Sequence, residues 1–163
     1  MPTCGVVYVH STPLAVCQHV EWAIARVLTA PVNLQWTVQP VDPSMRRAEC
    51  SWTGRAGTGA ELAAALRQWS MIRFEVTEEP SPGLDGERFM HVPGRGLFHG
   101  TMGASGDIQV GEDRLRAIMA QARAPEALAH ALEKALGTAW DAELEPYRYA
   151  GDGAPVTLLT RVG

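Results

Sequence analysis

Few of the residues able to do chemistry in this chain sit at spacings that chemistry demands. His10, Ser11 and Thr12 stand where an apolar run, residues 5–10, gives way to a helical pattern. Free backbone N–H groups at such a junction favour an anion. A hydroxyl capping the helix, with Pro13 in its first turn, is the simpler account. His19 and Glu21 match the H-x-E of zinc deaminases, but the P-C-x-x-C that completes that site is missing. Residues two apart on a helix also diverge by about 200°. His91 and His99 flank an expected hairpin, where cross-strand packing explains them better than a metal site with two ligands. No metal set is expected, and no cofactor.

Residues 54–59, GRAGTG, precede a helix in the manner of a phosphate cradle, yet they lack the Gly-Lys-Ser/Thr ending. Glu61 in the first helical turn would repel a phosphate, so a flexible turn is the better reading. Residues 103–106, GASG, are not the G-x-S-x-G of a nucleophile elbow. The carboxylates Glu75, Glu78 and Glu79 are divided between two faces by strand alternation. What remains is one polar sheet face. Gln35, Thr37, Glu49, Ser51, Arg73 and Glu75 share it with Tyr8 or His10. Tyr8, His10, Ser11, Arg73 and Glu75 are the candidate ligand-binding residues. The same face also fits a solvated surface, or the polar seat of the second half of the chain.

Composition narrows the classes. With 14 basic and 18 acidic residues the net charge is -4, which argues against a nucleic-acid or anionic-membrane partner. Cys4, Cys17 and Cys50 form no C-x-x-C, and Cys17 and Cys50 fall on apolar faces, as reduced core residues would. No basic segment leads a long apolar run, and no run nears the roughly 20 residues of a membrane helix, so a cytoplasmic location is expected.

Periodicity supplies the elements. Residues 5–10 are apolar on both faces, as a central strand would be. Leu14, Cys17, Val20, Ile24, Val27 and Leu28 recur at helical steps. Residues 32–39 alternate, with Val32, Leu34, Trp36 and Val38 on one side, and residues 47–53 alternate with Ala48, Cys50 and Trp52 inward, predicting an antiparallel hairpin. Thr58 and Glu61 match a capping box before a second helix carrying Leu62, Ala65, Leu66 and Trp69. Residues 71–79 return as a strand with Ile72, Phe74 and Val76 inward. This order predicts an α+β fold in which residues 5–79 form a ferredoxin-like β-α-β-β-α-β unit, followed by additional strands and helices. Those are a hairpin of residues 87–92 and 97–102, a short strand at 107–110, helices over 114–123 and around 128–136, a short acidic turn at 140–145 and a last strand at 156–162. Tyr147 and Tyr149 would anchor the tail. The chain reads as one domain, 1–163, with 80–86 as the candidate boundary between sub-lobes 1–80 and 87–163.

Several long blocks carry a resemblance: GVVYVHSTP, HVEWA, RFEVTEEP, GDIQVGEDRLR and WDAELEPYRYAGDGAPV. Together they resemble the uncharacterised actinobacterial family called domain of unknown function 3145, over nearly the whole chain. The bias to arginine, 13 of the basic residues against Lys134 alone, agrees with such a source. The resemblance implies a neighbourhood in type II fatty-acid synthesis and no activity. The expected function is therefore an accessory or ligand-binding protein. The alternative is a small cofactor-independent enzyme with a cleft beside the polar sheet face, using His10, Glu75 or Arg73. If the partner is an acyl carrier protein, its acidic helix should meet Arg116 and Arg123, which fall seven residues apart on one helical face.

Overall fold

The computed structural model describes residues 1–149 and 156–160, with side chains placed through Arg148. Its sheet is organised around β1 (Pro2–Pro13), which lies between β3 (Asp42–Arg55) and β4 (Arg73–Glu78) and is antiparallel to both. Strand order runs β2-β3-β1-β4-β5-β6-β7, with β2 (Thr37–Gln39), β5 (Gly86–Val92), β6 (Gly96–Met102) and β7 (Ile108–Gln109). β8 (Val156–Thr160) runs parallel to β3 along Glu49–Thr53; residues 161 and 162 of the expected last strand lie outside the described residues. Helices α1 (Cys17–Leu28) and α2 (Thr58–Leu66) make the crossovers of the first half. Helices α3 (Glu112–Gln121), α4 (Pro125–Leu136) and α5 (Thr138–Tyr149) follow the sheet. The fold is α+β.

One sheet face carries the apolar core. Val7 and Val9, Ala48, Cys50 and Trp52, and Phe74 and Val76 alternate inward from β1, β3 and β4. Val20, Ile24 and Leu28 of α1 and Leu62 and Leu66 of α2 close over them. Each such side chain, fully buried, contributes about 1.5–3 kcal/mol. Burial pushes the Cys50 thiol up to about 12, which keeps it an inert core group. The other face has a smaller core of Met90, Val92, Phe98 and Leu144, with Trp140 and Ile108 against it. Gly137 ends α4 at φ 72, and a Cβ there would also stand 2.8 Å from the Met90 methyl. That position needs glycine for conformation and for space.

Several expectations need correction. Residues 32–36 are not a strand. The Glu21 carboxylate takes the Leu34 N–H at 2.8 Å and the Trp36 indole N–H at 2.9 Å, so α1 supplies partners that a β ladder would have offered. The hairpin is confined to β2, where the register slips between Val38 and Gln39. Val38 is 49% exposed and Gln39 fully buried, its amide donating to the His10 carbonyl at 2.6 Å. Neither Ser11 nor Thr12 caps α1. β1 continues to Pro13, a 3-10 turn spans Leu14–Val16, and the helix starts at Cys17 without a side-chain cap. The capping box is also replaced. Gly57 is the N-cap of α2 at φ 88, and the Glu78 carboxylate accepts from the N–H groups of Gly57 and Gly59, both at 2.8 Å. The anion position at that helix start is thus filled from β4. Glu61 instead pairs with Arg55. Where an acidic turn was expected, α5 runs through Pro146 to Tyr149.

Candidate functional site

Alternation along β1, β4 and β5 sends Tyr8, Glu75, Arg88 and Met90 to the face opposite the large core, because Tyr8 pairs with Glu75 and Glu75 with Met90 across the strands. His10, two residues after Tyr8, falls on the same side, beside the irregularity between Val9 and Ser11. α5 packs over this face and brings Asp141, Glu145, Tyr147 and Arg148. The polar face is therefore the seat of a helix from the second half. Glu75 and His10 are each only 4% exposed beneath it.

Glu75 is the centre of the site. Oε2 accepts from His10 Nε2 at 2.6 Å and from Arg148 Nε at 2.8 Å. Oε1 accepts from Arg88 at 2.8 Å and from the Arg148 terminal nitrogen at 2.6 Å. The other Arg148 terminal nitrogen reaches Asp141 at 2.7 Å and Glu145 at 2.9 Å. Burial by itself would raise the Glu75 carboxyl, but the hydrogen bonds and charges of His10 and Arg148 hold it well below the usual carboxylate range. Arg148 is held above its ordinary value, its own burial outweighed by Glu75 and then Asp141. An ionised carboxylate only accepts, so the proton in the bond between His10 and Glu75 belongs to His10 Nε2. Two guanidiniums and one imidazole N–H thus face three carboxylates.

The other candidates surround this centre. The Tyr8 and His10 rings stack at 5.9 Å, and burial, then Glu49 and Glu75, raise the Tyr8 phenol. Arg73 lies over the Tyr147 ring at 4.5 Å. Tyr147 thus meets a charged side chain of the polar face, where an anchor on the core was expected, while the Tyr149 side chain lies outside the described residues. Ser11 is fully buried opposite Arg73. Arg116 and Arg123 stand elsewhere. Arg116 is exposed on α3 and pairs with Glu112 at 2.6 Å, while Arg123 lies beyond the helix, which ends at Gln121. The helical phase expected to align them does not reach Arg123.

Arg88 and Arg148 were missed. The alternation of β5 could have placed Arg88 beside Glu75, but Arg148 is 73 residues away and no spacing announces it. His91 and His99 do not face each other. His91 stacks on Phe74 at 5.1 Å and His99 on Phe89 at 4.5 Å. Among the described residues no group of three or more His, Cys, Asp or Glu side chains is placed to hold a metal. A shallow cleft of about 230 Å³ opens between Arg88 and Met90, Ile108, and Leu136, Thr138 and Asp141. It is smaller than the roughly 300–1,000 Å³ of small-molecule sites, and Tyr8, His10, Arg73 and Glu75 do not line it.

Fold and site together define an α+β protein with an ion cluster clamped between its sheet and a late helix. Residues 6–161 match the family model described as protein of unknown function DUF3145, and the chain belongs to that family. No curated protein and no solved structure matches it. Among the described residues no helix is long and apolar enough to cross a membrane.

Proposed function

We propose that this chain is a non-catalytic accessory protein with a ligand-binding polar face, acting in the cytoplasm of an actinobacterial cell beside type II fatty-acid synthesis. The observation that carries the non-catalytic reading is the saturation of Glu75. A carboxylate offers about four acceptor sites, and four donor nitrogens take them. Nothing is left to receive a substrate proton, and the lowered carboxyl is a poor base at neutral pH. The net charge of -4 speaks for a protein partner over nucleic acid. We read residues 1–163 as one domain in which 5–79 form a ferredoxin-like unit. Support comes from the strand order β2-β3-β1-β4, antiparallel throughout, and from the unbroken continuation into β5 and β6.

The partner surface we assign is α3, which buries no residue and leaves Met119 68% exposed beside Arg116. An acidic helix of an acyl carrier protein would compete with Glu112 for Arg116 and meet Arg123 past the helix end. Affinity purification from the native cell should recover a fatty-acid-synthesis protein with the wild type and lose it with Arg116→Glu/Arg123→Glu. Recovery of none removes the pathway link. Equal recovery by both removes the patch.

A further inference from the structure

We propose that the arm formed by α3 and α4 is a dimer interface, on which a second copy of this chain docks across a two-fold axis. The inference goes beyond the accessory reading and stands without it. α3 packs chiefly on α4, which packs in turn on α5. α3 buries no residue and α4 buries only Ala135. Leu115 and Ile118 stay half-buried, while Met119 and Leu136 are 68% and 45% exposed. A helix of 10 residues is marginal by itself, and packing of its apolar face is what keeps it folded. The described residues cover that face only in part.

Charge identifies the occupant. Residues 112–136 hold four acids, Glu112, Asp113, Glu126 and Glu133, and four bases, Arg114, Arg116, Arg123 and Lys134, so the arm is neutral in a chain of net charge -4. Glu112 and Arg116 pair with each other. The other three acids and three bases are all exposed, and none has an ion-pair partner among the described residues. An acidic partner seated on α3 engages bases and leaves the acids of both helices unanswered. A basic partner does the reverse, and an anionic membrane meets the same conflict as an acidic protein. A second copy carries both signs in equal number. In a two-fold contact residue i meets j and j meets i, so every favourable pair occurs twice. Two helix pairs joined this way make a four-helix layer, with Leu115, Ile118, Met119 and Leu136 of both copies at its seam. α3 and α4 are about 15 and 18 Å long, a face at the small end of specific interfaces, so a micromolar dimer is expected. An acyl carrier protein on α3 would displace the second copy, which makes the monomer the form that takes that partner.

The test is sedimentation of the full chain from micromolar to near-millimolar concentration. Reversible conversion from one chain mass to two is expected. Met119→Lys, at a position exposed enough to leave the fold intact, should weaken the dimer about tenfold or more, as a charge placed in an apolar seam does. Two charge sets test the complementarity. Arg114→Glu/Arg123→Glu/Lys134→Glu makes the free charges of the arm all acidic, and Asp113→Lys/Glu126→Lys/Glu133→Lys makes them all basic. Each variant should be monomeric alone, and the two mixed in equal amounts should form a heterodimer. Where a charge set fails to fold, Met119→Lys and Leu136→Lys carry the decision. A wild-type chain that stays monomeric throughout overturns the interface, as does a dimer undiminished by Met119→Lys. Charge sets that each still dimerise, or that do not combine when mixed, overturn the complementarity that names the occupant. Flotation of a monomeric chain with neutral phosphatidylcholine vesicles overturns the dimer in favour of a lipid surface. The purified chain carries the whole test, so loss of the dimer leaves the fatty-acid-synthesis partner standing, and failure to recover that partner leaves the dimer standing.

Discussion

Phe74 and Glu75 are neighbours on β4, and they face two different kinds of interior. Phe74 points into the layer under α1 and α2, where Ile24, Leu62 and Leu66 are fully buried. Glu75 points under α5, where the apolar contribution is Leu144, Met90 and a few flanking side chains, and where charge does the positioning. The first layer is non-directional, and many packings would satisfy it. The second allows one arrangement, because every oxygen of Glu75 needs its own donor. The difference explains how one largely antiparallel sheet is covered on both faces by a chain whose hydrophobic pattern predicts only one covered face.

Substituting each neighbour should break its own layer. Phe74→Ala should cost about 3–5 kcal/mol, with the cavity opening in the layer that α1 and α2 share. Glu75→Ala should cost about as much, about 3–5 kcal/mol, because it strands His10, Arg88 and Arg148 under α5. Urea denaturation measures both totals. Amide exchange separates them, rising throughout α1 and α2 in the first variant and first across residues 139–148 in the second. Early exchange in α5 for Phe74→Ala, with none for Glu75→Ala, would dissolve the distinction between the layers.

Acid should sharpen the comparison with less force. The folded Glu75 carboxyl is depressed, so its contribution is present in full above the unfolded value and is lost as pH falls through the folded one. For a carboxyl with an ordinary value of 4.5, the loss starts below that pH and completes only well under the usual carboxylate range. Wild-type amides of α5 should therefore lose protection in strong acid before those of α2. Glu75→Gln, which has no such proton to gain, should show less of this dependence. Equal acid sensitivity in both proteins would mean that another group controls it.

The apolar layer was legible in the sequence because its information is local. Ala48, Cys50 and Trp52 alternate, and all three are buried as that alternation requires. The same rule misreads Val38, since a register slip moves Gln39 inward and no residue type marks the slip. On the polar face the rule brought Tyr8, His10 and Glu75 together but could not say what covered them. The acids Asp141, Glu143 and Glu145 look like a turn, yet their helix delivers Arg148 to a carboxylate that alternation had left in solvent. Ion pairs between distant segments leave no periodic trace.

The smallest effect concerns a carboxylate that serves the apolar layer from β4. Sequence pattern gives the start of α2 to Thr58 and Glu61, whereas the structure gives it to Glu78. A Cβ at Gly59 would meet a Glu78 oxygen at 2.9 Å, so the glycine is what admits the carboxylate. Glu78→Ala frees two N–H groups at the start of α2, that of Gly59 in a buried setting and that of Gly57 in a partly buried one, and should cost about 1–3 kcal/mol. Glu61→Ala removes a pair with Arg55 whose side chains are 38% and 65% exposed, and should cost about 1 kcal/mol or less. Thermal melts of the two variants give the order directly. If Glu61→Ala proved the more damaging, the cap would lie in the local motif after all, and the apolar layer would owe nothing to a charge from β4.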